Sequence, residues 1–369
     1  MQNTLLVFSY DFSHKKSFLF LKEIFKRKDL SVIVYAAPWV SLKGQEPPAD
    51  QDFHPKNITK KYGHKYVKGS HKDVDTLKKI ILENSIKTAI IGGARIIPEN
   101  VISLFEHGII NFHPGPIPET SGLDSFFWMI QKKALPGITI HYIDKKVDAG
   151  EIIFFHHKED IKEDDDINKV RSSMLLTQID ALKRLLSFLK VNKKMISKKI
   201  LNHKKNNPMN QDEIENATTK FNYWKIDVIK KQYEINNIYE AISNDNVSVL
   251  LSLDKPFLEM LKEYKNNSGR SILAESAYYH SHDCLKYMLS NGFNVNDIND
   301  KGTTVLMYAK TKLLNKKLTE KDRKILELIL SYNPNMLKKD IYEKNIYDYI
   351  PANKNIELLS ILGKKNNLG

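Results

Sequence analysis

KTAIIGGARIIPENVISLFEHGIINFH, residues 87–113, is the stretch that decides the fold class. It begins with an apolar run typical of a buried strand, and Pro98-Glu99 then opens a helical pattern that ends at Gly108. A second apolar run, residues 108–112, follows directly. A strand, a helix and a strand in so short a stretch predict a βαβ unit with parallel strands.

The same alternation extends in both directions along the chain. Strands are predicted over 4–9, 31–36, 136–143 and 150–157, and helices over about 15–27, 75–85 and 167–190. The prediction is an α/β, Rossmann-like domain with a mostly parallel sheet over residues 1–194. SYDFSH, without GxGxxG, follows the first strand, so the dinucleotide-binding fingerprint is absent.

The last third of the chain carries an internal repeat. Gly269 and Gly302 lie 33 residues apart, and each opens a pattern of two short helices. This period and pattern resemble the ankyrin repeat, which implies an all-α ankyrin-repeat domain over 233–363. Residues 195–232 are polar with little periodicity, and they are predicted to be a connector containing at most a β-hairpin.

Composition limits the class of protein further. The 369 residues include a single cysteine, Cys284, which excludes an internal disulfide framework and a cysteine-rich zinc site. No apolar segment is long enough to span a membrane, and the N-terminal residues lack a signal-peptide pattern, so a cytoplasmic location is expected. The net charge of +13 fits either a well-solvated surface or a phosphate-bearing substrate. The lysines are spread along the chain, so neither nucleic acid nor a membrane is the expected partner.

Candidate chemistry lies at the carboxyl end of the strand over 108–112. Strand alternation puts the amide of Asn111 and the imidazole of His113 on one face, with Phe112 on the other. Asp148 follows in a glycine-containing loop, VDAGEI, between two later strands. Ligands of doubly wound sheets bind beyond the carboxyl ends of the strands, so this edge is the predicted site.

These residues resemble the signature of the formyltransferases that use 10-formyltetrahydrofolate. The motif is Asn111-Phe112-His113-Pro114, then Ile117-Pro118 and Gly122, then Asp148-Ala149-Gly150, and the resemblance covers about residues 1–160. It implies that Asn111 donates a hydrogen bond to the oxyanion of a tetrahedral intermediate and that Asp148 orients His113. His113 either takes the proton of the attacking amine or helps to hold the oxyanion, and the sequence leaves this choice open.

The resemblance also implies where the two substrates bind. 10-Formyltetrahydrofolate, the co-substrate, is expected between residues 92–97 and the loop 142–148, held largely by backbone groups; the predicted contacts are Gly92, Arg95, Ile96, Ile97 and Val147. The predicted contacts of the amine substrate are Ser9, Tyr10, Thr120, Ser121, Tyr223 and Trp224. The last two either stack on a nucleotide base or pack on the core.

The acceptor suggested by the resemblance is a dTDP-linked amino-dideoxy sugar, formylated for surface polysaccharide synthesis. Methionyl-tRNA formyltransferases share the motif but carry a C-terminal β-barrel that binds tRNA, where this chain has the ankyrin-like repeats. The wider family often has a basic residue before the glycine, where this chain has Thr120-Ser121-Gly122. A 3-amino and a 4-amino sugar both stay open, as do a tRNA or other amine acceptor and a scaffold with an inactive first domain.

Two further predictions concern metals and the repeats. His141, His156 and His157 lie on neighbouring strands, but no ligand partners stand at metal spacing, so they are interpreted as ordinary strand histidines and no metal is expected. The predicted catalytic residues all precede residue 150. The repeats are therefore expected to supply no catalytic side chain and to bind a ligand or protein partner, with Tyr278 and Tyr279 as the first candidates. A homodimer is left open.

Overall fold

The computed structural model describes residues 3–40, 52–146, 148–200, 203–314, 317–351 and 355–363. The chain divides into two compact units, Met1–Val228 and Ile229–Gly369. Among the described residues, no helix combines the length and apolar character needed to cross a membrane.

The described part of the first unit contains one seven-stranded sheet in the order β3-β2-β1-β4-β5-β6-β7. The strands are β1 (Thr4–Tyr10), β2 (Ser31–Ala37), β3 (Lys65–Lys68), β4 (Thr88–Ile91), β5 (Gly108–Pro114), β6 (Gly137–Tyr142) and β7 (Ile152–His157). The pairs from β3 to β5 are parallel, and β6 and β7 add antiparallel pairs. The predicted α/β class with a mostly parallel sheet is confirmed.

Helices connect and cover these strands. They are α1 (Lys15–Ile24), α2 (Pro55–Lys61), α3 (Val74–Glu83), α4 (Glu99–Ile102), α5 (Ser125–Gln131), α6 (Ile167–Leu186) and α7 (Gln211–Ser243). Side chains cap the starts of several of them: the carboxylate of Asp73 accepts from Thr76 N at α3, and that of Asp166 accepts from Lys169 N at α6. Apolar residues of α3 and α4, such as Leu77 and Val101, are fully buried in one core with strand residues.

The segment predicted as a connector has a different structure. From residue 211 onward it belongs to α7, a helix of 33 residues, and the boundary between the two units falls within this helix. The prediction of a β-hairpin within residues 195–232 is therefore wrong. In the described residues of this segment, one isolated bridge is found, between Ile152 and Lys198. Buried Ala217, Phe221 and Trp224 do follow helical spacing, but the polar residues between them hid the pattern.

The described part of the second unit is helical. Its helices are α8 (Ser248–Leu251), α9 (Lys255–Glu263), α10 (Ile272–Tyr279), α11 (His282–Ser290), α12 (Val305–Lys310), α13 (Glu320–Ser331), a 3-10 turn (Tyr347–Tyr349) and α14 (Ile356–Ile361). Ser271 caps α10 and Thr304 caps α12 in the same way, 33 residues apart. The repeat period predicted from the glycines is thus present in the helices.

Candidate active site

The carboxyl end of β5 presents an amide and an imidazole on one face of the sheet. Phe112, between them, is buried with its ring 5.0 Å from that of Phe20, and its carbonyl accepts from Gln178 Nε2 at 3.0 Å. Asn111 and His113 therefore face away from this packing, as strand alternation predicts. His113 is nearly buried, at 5% exposure.

The loop after β5 returns to hold the imidazole of His113. His113 Nε2 lies 2.9 Å from the carbonyl oxygen of Thr120 and 3.3 Å from Thr120 Oγ1. Thr120 Oγ1 donates its own hydrogen to the carbonyl of Pro116 at 2.8 Å, so it faces His113 as an acceptor. Since both partners accept, Nε2 carries the proton, and Nδ1 is the basic nitrogen of the neutral ring.

Asp148 faces this free nitrogen. Its Oδ2 lies 3.3 Å from His113 Nδ1 and accepts from the backbone N–H of Gly122 at 2.9 Å. Asp148 has a φ of +52°, a left-handed conformation that aspartate and asparagine tolerate better than most residues. The carboxylate is thereby placed where it stabilises a proton gained by His113 at Nδ1.

A second histidine, His141, completes the cluster and was missed as a site residue. Register pairs His141 of β6 with Asn111 of β5, and Asn111 Nδ2 lies 3.2 Å from His141 Nε2. His141 Nδ1 donates to the carbonyl of Tyr142 at 3.0 Å, so Nε2 accepts from Asn111 and fixes the amide orientation. His141 Nε2 is also 3.7 Å from Asp148 Oδ1. His141 is a strand histidine, as interpreted from the sequence, but the antiparallel register also brings it beside Asn111.

Burial determines the protonation of these histidines. It lowers the pKa of His113 below its ordinary value, while the charge of Asp148 acts in the opposite direction. Burial likewise lowers the pKa of His141 to about 4, again opposed by Asp148. Both rings are therefore neutral near pH 7, the form in which His113 can accept a proton.

The hydroxyl side chains predicted to bind the amine substrate are buried and bonded within the protein. Thr120 and Ser121 are both fully buried, and Ser121 Oγ donates to the carbonyl of Pro118 at 3.0 Å. Ser9 is also fully buried. The prediction that these three side chains contact the substrate directly is wrong, because each hydroxyl lies inside the fold. Tyr10 is half-buried and stacks on Phe12 with a centroid distance of 4.7 Å, and its substrate contact stays a prediction.

The two neighbouring aromatic residues of α7, Tyr223 and Trp224, differ in exposure. Trp224 is 3% exposed, and its indole N–H donates to the carbonyl of Ala134 at 2.9 Å. Stacking of Trp224 on a nucleotide base is therefore wrong. Tyr223 is 81% exposed and stays a predicted substrate contact.

The predicted folate residues 92–97 follow β4 at the edge of the sheet. The backbone N–H of Gly92 donates to the carbonyl of Phe8 at 3.0 Å. Ile96 is 74% exposed, whereas the side chain of Ile97 is buried in the core, so only its backbone is available to a ligand.

Of the two remaining predicted folate contacts, the structure describes Arg95 but not Val147. Arg95 is exposed and donates through Nη2 to the carbonyl of Val40 at 2.6 Å. Val147 lies outside the described residues. A cavity of about 420 Å³ is lined by residues that include Phe105, Tyr142 and Gly150. Its lining includes residues 142–144 of the predicted folate loop but none of residues 92–97.

The part of the chain that the structure describes contains no cluster of metal ligands. No group of three or more His, Cys, Asp or Glu side chains there is arranged to hold a metal ion. His113 and His141 instead bond to backbone carbonyls, His141 also accepts from Asn111, and Asp148 accepts from the backbone N–H of Gly122.

Replacing Thr120 with valine should weaken the support of His113. The substitution keeps the shape and the backbone carbonyl but removes the hydroxyl that bonds His113 Nε2 and Pro116 O. We expect the free energy of unfolding to fall by about 1 kcal/mol. Urea denaturation would measure this, with Thr218→Val, at an exposed threonine of α7, as the control. Equal stability of the two variants would contradict the inferred role of the hydroxyl.

The stability of the first unit should fall as the pH drops below about 6.5. Burial lowers the pKa of His14, His141 and His156 to about 4. Between pH 6.5 and 4 the unfolded chain binds more protons, so this stabilisation is complete above pH 6.5 and is lost as the pH falls toward 4. We expect roughly 2 kcal/mol per histidine to be lost by pH 5. Urea unfolding at pH 7 and pH 5 checks this, and His156→Gln should reduce the difference; an unchanged unfolding free energy would contradict it.

Comparison with known proteins finds similarity over the part of the chain that contains this site. Residues 49–186 match the family model described as formyl transferase. Over 140 residues the chain is 29% identical to a methionyl-tRNA formyltransferase of Sulfurihydrogenibium sp. (strain YO3AOP1), a match covering 38% of this chain and 43% of the relative. Two further curated methionyl-tRNA formyltransferases are matched over 35% and 32% of their lengths, so the chain spans less than half the length of each of these relatives.

Solved structures that are similar to part of this chain include two formyltransferases. A sugar N-formyltransferase from Shewanella sp FDAARGOS_354 is 18% identical with a TM-score of 0.42, over 60% of this chain and 88% of that chain. A phosphoribosylglycinamide formyltransferase from Anaplasma phagocytophilum is 19% identical with a TM-score of 0.39, over 50% of this chain and 84% of that chain.

Proposed function

We propose that the first unit transfers a formyl group from 10-formyltetrahydrofolate to a primary amine. The observation that carries this proposal is the meeting of Asn111, His113 and Asp148 at the carboxyl edge of the sheet. Oδ2 of Asp148 lies 3.3 Å from Nδ1 of His113, although the two residues come from different loops and strands. The match of residues 49–186 to the formyl transferase family supports the same chemistry.

The reaction assigns a distinct task to each side chain. The amine nitrogen bonds to the formyl carbon, and the carbonyl electron pair moves onto oxygen as an oxyanion. Asn111 donates a hydrogen bond to that oxygen from Nδ2, whose orientation His141 fixes. His113 Nδ1 takes the proton of the amine, and Asp148 stabilises the imidazolium. The oxyanion then collapses, the bond to the folate nitrogen breaks, and the proton passes to that nitrogen.

The acceptor we propose is a dTDP-linked amino-dideoxy sugar, with a 3-amino or 4-amino group. The helical character of the described second unit supports a sugar over tRNA, because the tRNA-binding domain expected from the family resemblance is a β-barrel. The predicted hydroxyl contacts at Thr120 and Ser121 no longer support it, since both side chains are buried. A methionyl-tRNA acceptor remains the second candidate, favoured by the names of the curated relatives.

A panel assay distinguishes these acceptors. The purified chain is incubated with 10-formyltetrahydrofolate and, separately, dTDP-3-amino and dTDP-4-amino dideoxyhexoses and methionyl-tRNA. Mass spectrometry would detect the formamide as the gain of one CO unit. We expect formylation of an amino sugar. Formylation of methionyl-tRNA alone would favour the second candidate, and no product with any amine would favour a scaffold with an inactive first unit.

The helical second unit is proposed to be an ankyrin-repeat domain that binds a ligand or protein partner. The 33-residue offset between the capped starts of α10 and α12 supports the repeat assignment. Stacked helical hairpins offer a surface for recognition but no acyl-transfer residues of their own. A cytoplasmic location and a role in surface polysaccharide synthesis belong to the same proposal.

A further inference from the structure

Asn206, in the segment before α7, bonds to the loop that follows β5. Its Nδ2 donates to the carbonyl of Glu119 at 2.8 Å and to that of Ser121 at 3.0 Å. Its backbone N–H also donates to Ser121 O, at 3.1 Å. One side chain and its backbone therefore satisfy two carbonyls on either side of Thr120.

The same loop holds both groups that exchange or stabilise the proton. Thr120 accepts from His113 Nε2 through its carbonyl and hydroxyl, and the N–H of Gly122 donates to Asp148 Oδ2. A shift of residues 119–122 would therefore displace the imidazole and the carboxylate, each through its own hydrogen bond, and change the distance between them. The position of this loop sets the distance between His113 Nδ1 and Asp148.

Two further observations show that the segment around Asn206 packs closely against this loop. Gly122 has a φ of +100°, and a Cβ atom there would lie 2.9 Å from the carbonyl of Asn206. Lys132 Nζ donates to Asn206 Oδ1 and to Glu119 O, each at 2.7 Å. Asn206 thus has its amide oxygen and nitrogen both engaged, in an orientation that only an amide at this position provides.

We propose that Asn206 is a positioning residue for His113 and Asp148, which rests on the formyl-transfer function proposed above. It touches neither reacting group, and it acts by fixing residues 119–122. The segment that the sequence indicated as a connector is in this respect part of the catalytic unit. A misplacement of about 1 Å at a reacting group can lower a rate roughly a hundredfold.

The test compares Asn206→Ala and Asn206→Asp with Asn207→Ala, at the neighbouring exposed asparagine. Aspartate keeps the size of the side chain but replaces the donor with an oxygen that faces two carbonyls. We expect both Asn206 variants to lose roughly ten- to a hundredfold in kcat with little change in the KM for folate. The control should keep both values.

A second readout does not depend on activity. The Cε1–H signal of His113, assigned by its loss in His113→Ala, is titrated by NMR in each protein. A changed distance to Asp148 should shift the titration of His113 in the Asn206 variants and not in the control. Lys132→Met, which removes the other donor to Glu119 O, should give a smaller shift in the same direction, and it decides the question if Asn206→Ala does not fold.

The outcomes separate the two proposals. If the wild-type chain formylates an amine but the Asn206 variants keep its kcat and its His113 titration, the positioning role is wrong and the function stands. If the wild-type chain formylates nothing but the titration shifts only in the Asn206 variants, the proposed function fails and the positioning of His113 is supported. An unchanged titration in every variant overturns the positioning role in either case.

Discussion

We expect that replacing His113 with alanine lowers kcat by about two to four orders of magnitude and leaves folate binding nearly unchanged. Proton transfer by a positioned side chain contributes an effect of this size. In this site the neutral ring has its Nε2 hydrogen committed to Thr120, so Nδ1 is the nitrogen that receives a proton. His141 cannot replace it, because its Nδ1 donates to Tyr142 O and its Nε2 accepts from Asn111.

The measurement is steady-state formylation of the best acceptor, together with calorimetric binding of tetrahydrofolate. His64→Ala is the matched control, since His64 is a half-buried histidine that stacks on Phe25 outside the cluster. We expect the control to keep its kcat. Turnover of His113→Ala within about tenfold of the wild type would remove His113 from proton transfer and would leave it, at most, a support for the oxyanion.

Replacing Asp148 with asparagine is expected to cost between a hundredfold and about ten thousandfold in kcat, the upper value being typical of the acid in a histidine triad. Asparagine is the informative substitution because the backbone of Asp148 is left-handed, with φ +52°, which asparagine also tolerates. The fold and the bond from Gly122 N–H can therefore be kept while the negative charge is removed.

The pH dependence of kcat should change in a definite direction in Asp148→Asn. The charge of Asp148 raises the pKa of His113 against the larger opposite effect of burial. Without that charge the pKa falls further, so the acidic limb of kcat should move to lower pH even as the maximum rate drops. Asp29→Asn is the control: Asp29 pairs with Arg27 at 2.6 Å just before β2, at the amino end of the strands, and its substitution should leave the profile unchanged. A limb that stays in place in Asp148→Asn would show that Asp148 does not govern the titration of His113.

Local pattern in the sequence was enough for the class of fold and the first two site residues. The strand-helix-strand alternation over 87–113 appears as β4, α4 and β5, because apolar runs and helix signals act over a few residues. The common face of Asn111 and His113 follows from the two-residue period of a strand. The 33-residue repeat was equally readable, since each helix start has its own cap, at Ser271 and at Thr304.

Partners distant in sequence depended on the tertiary structure. The antiparallel register of β5 and β6 alone brings His141 beside Asn111, and no local spacing encodes a register. The return of the loop after β5 buries Thr120 and Ser121 and turns them from predicted substrate contacts into supports of the site. Asn206 reaches the same loop across more than eighty residues of chain. Residue types and local periods are properties of the sequence. These contacts form only in the folded protein, because the packing of the sheet and helices brings segments that are distant in sequence within hydrogen-bond distance.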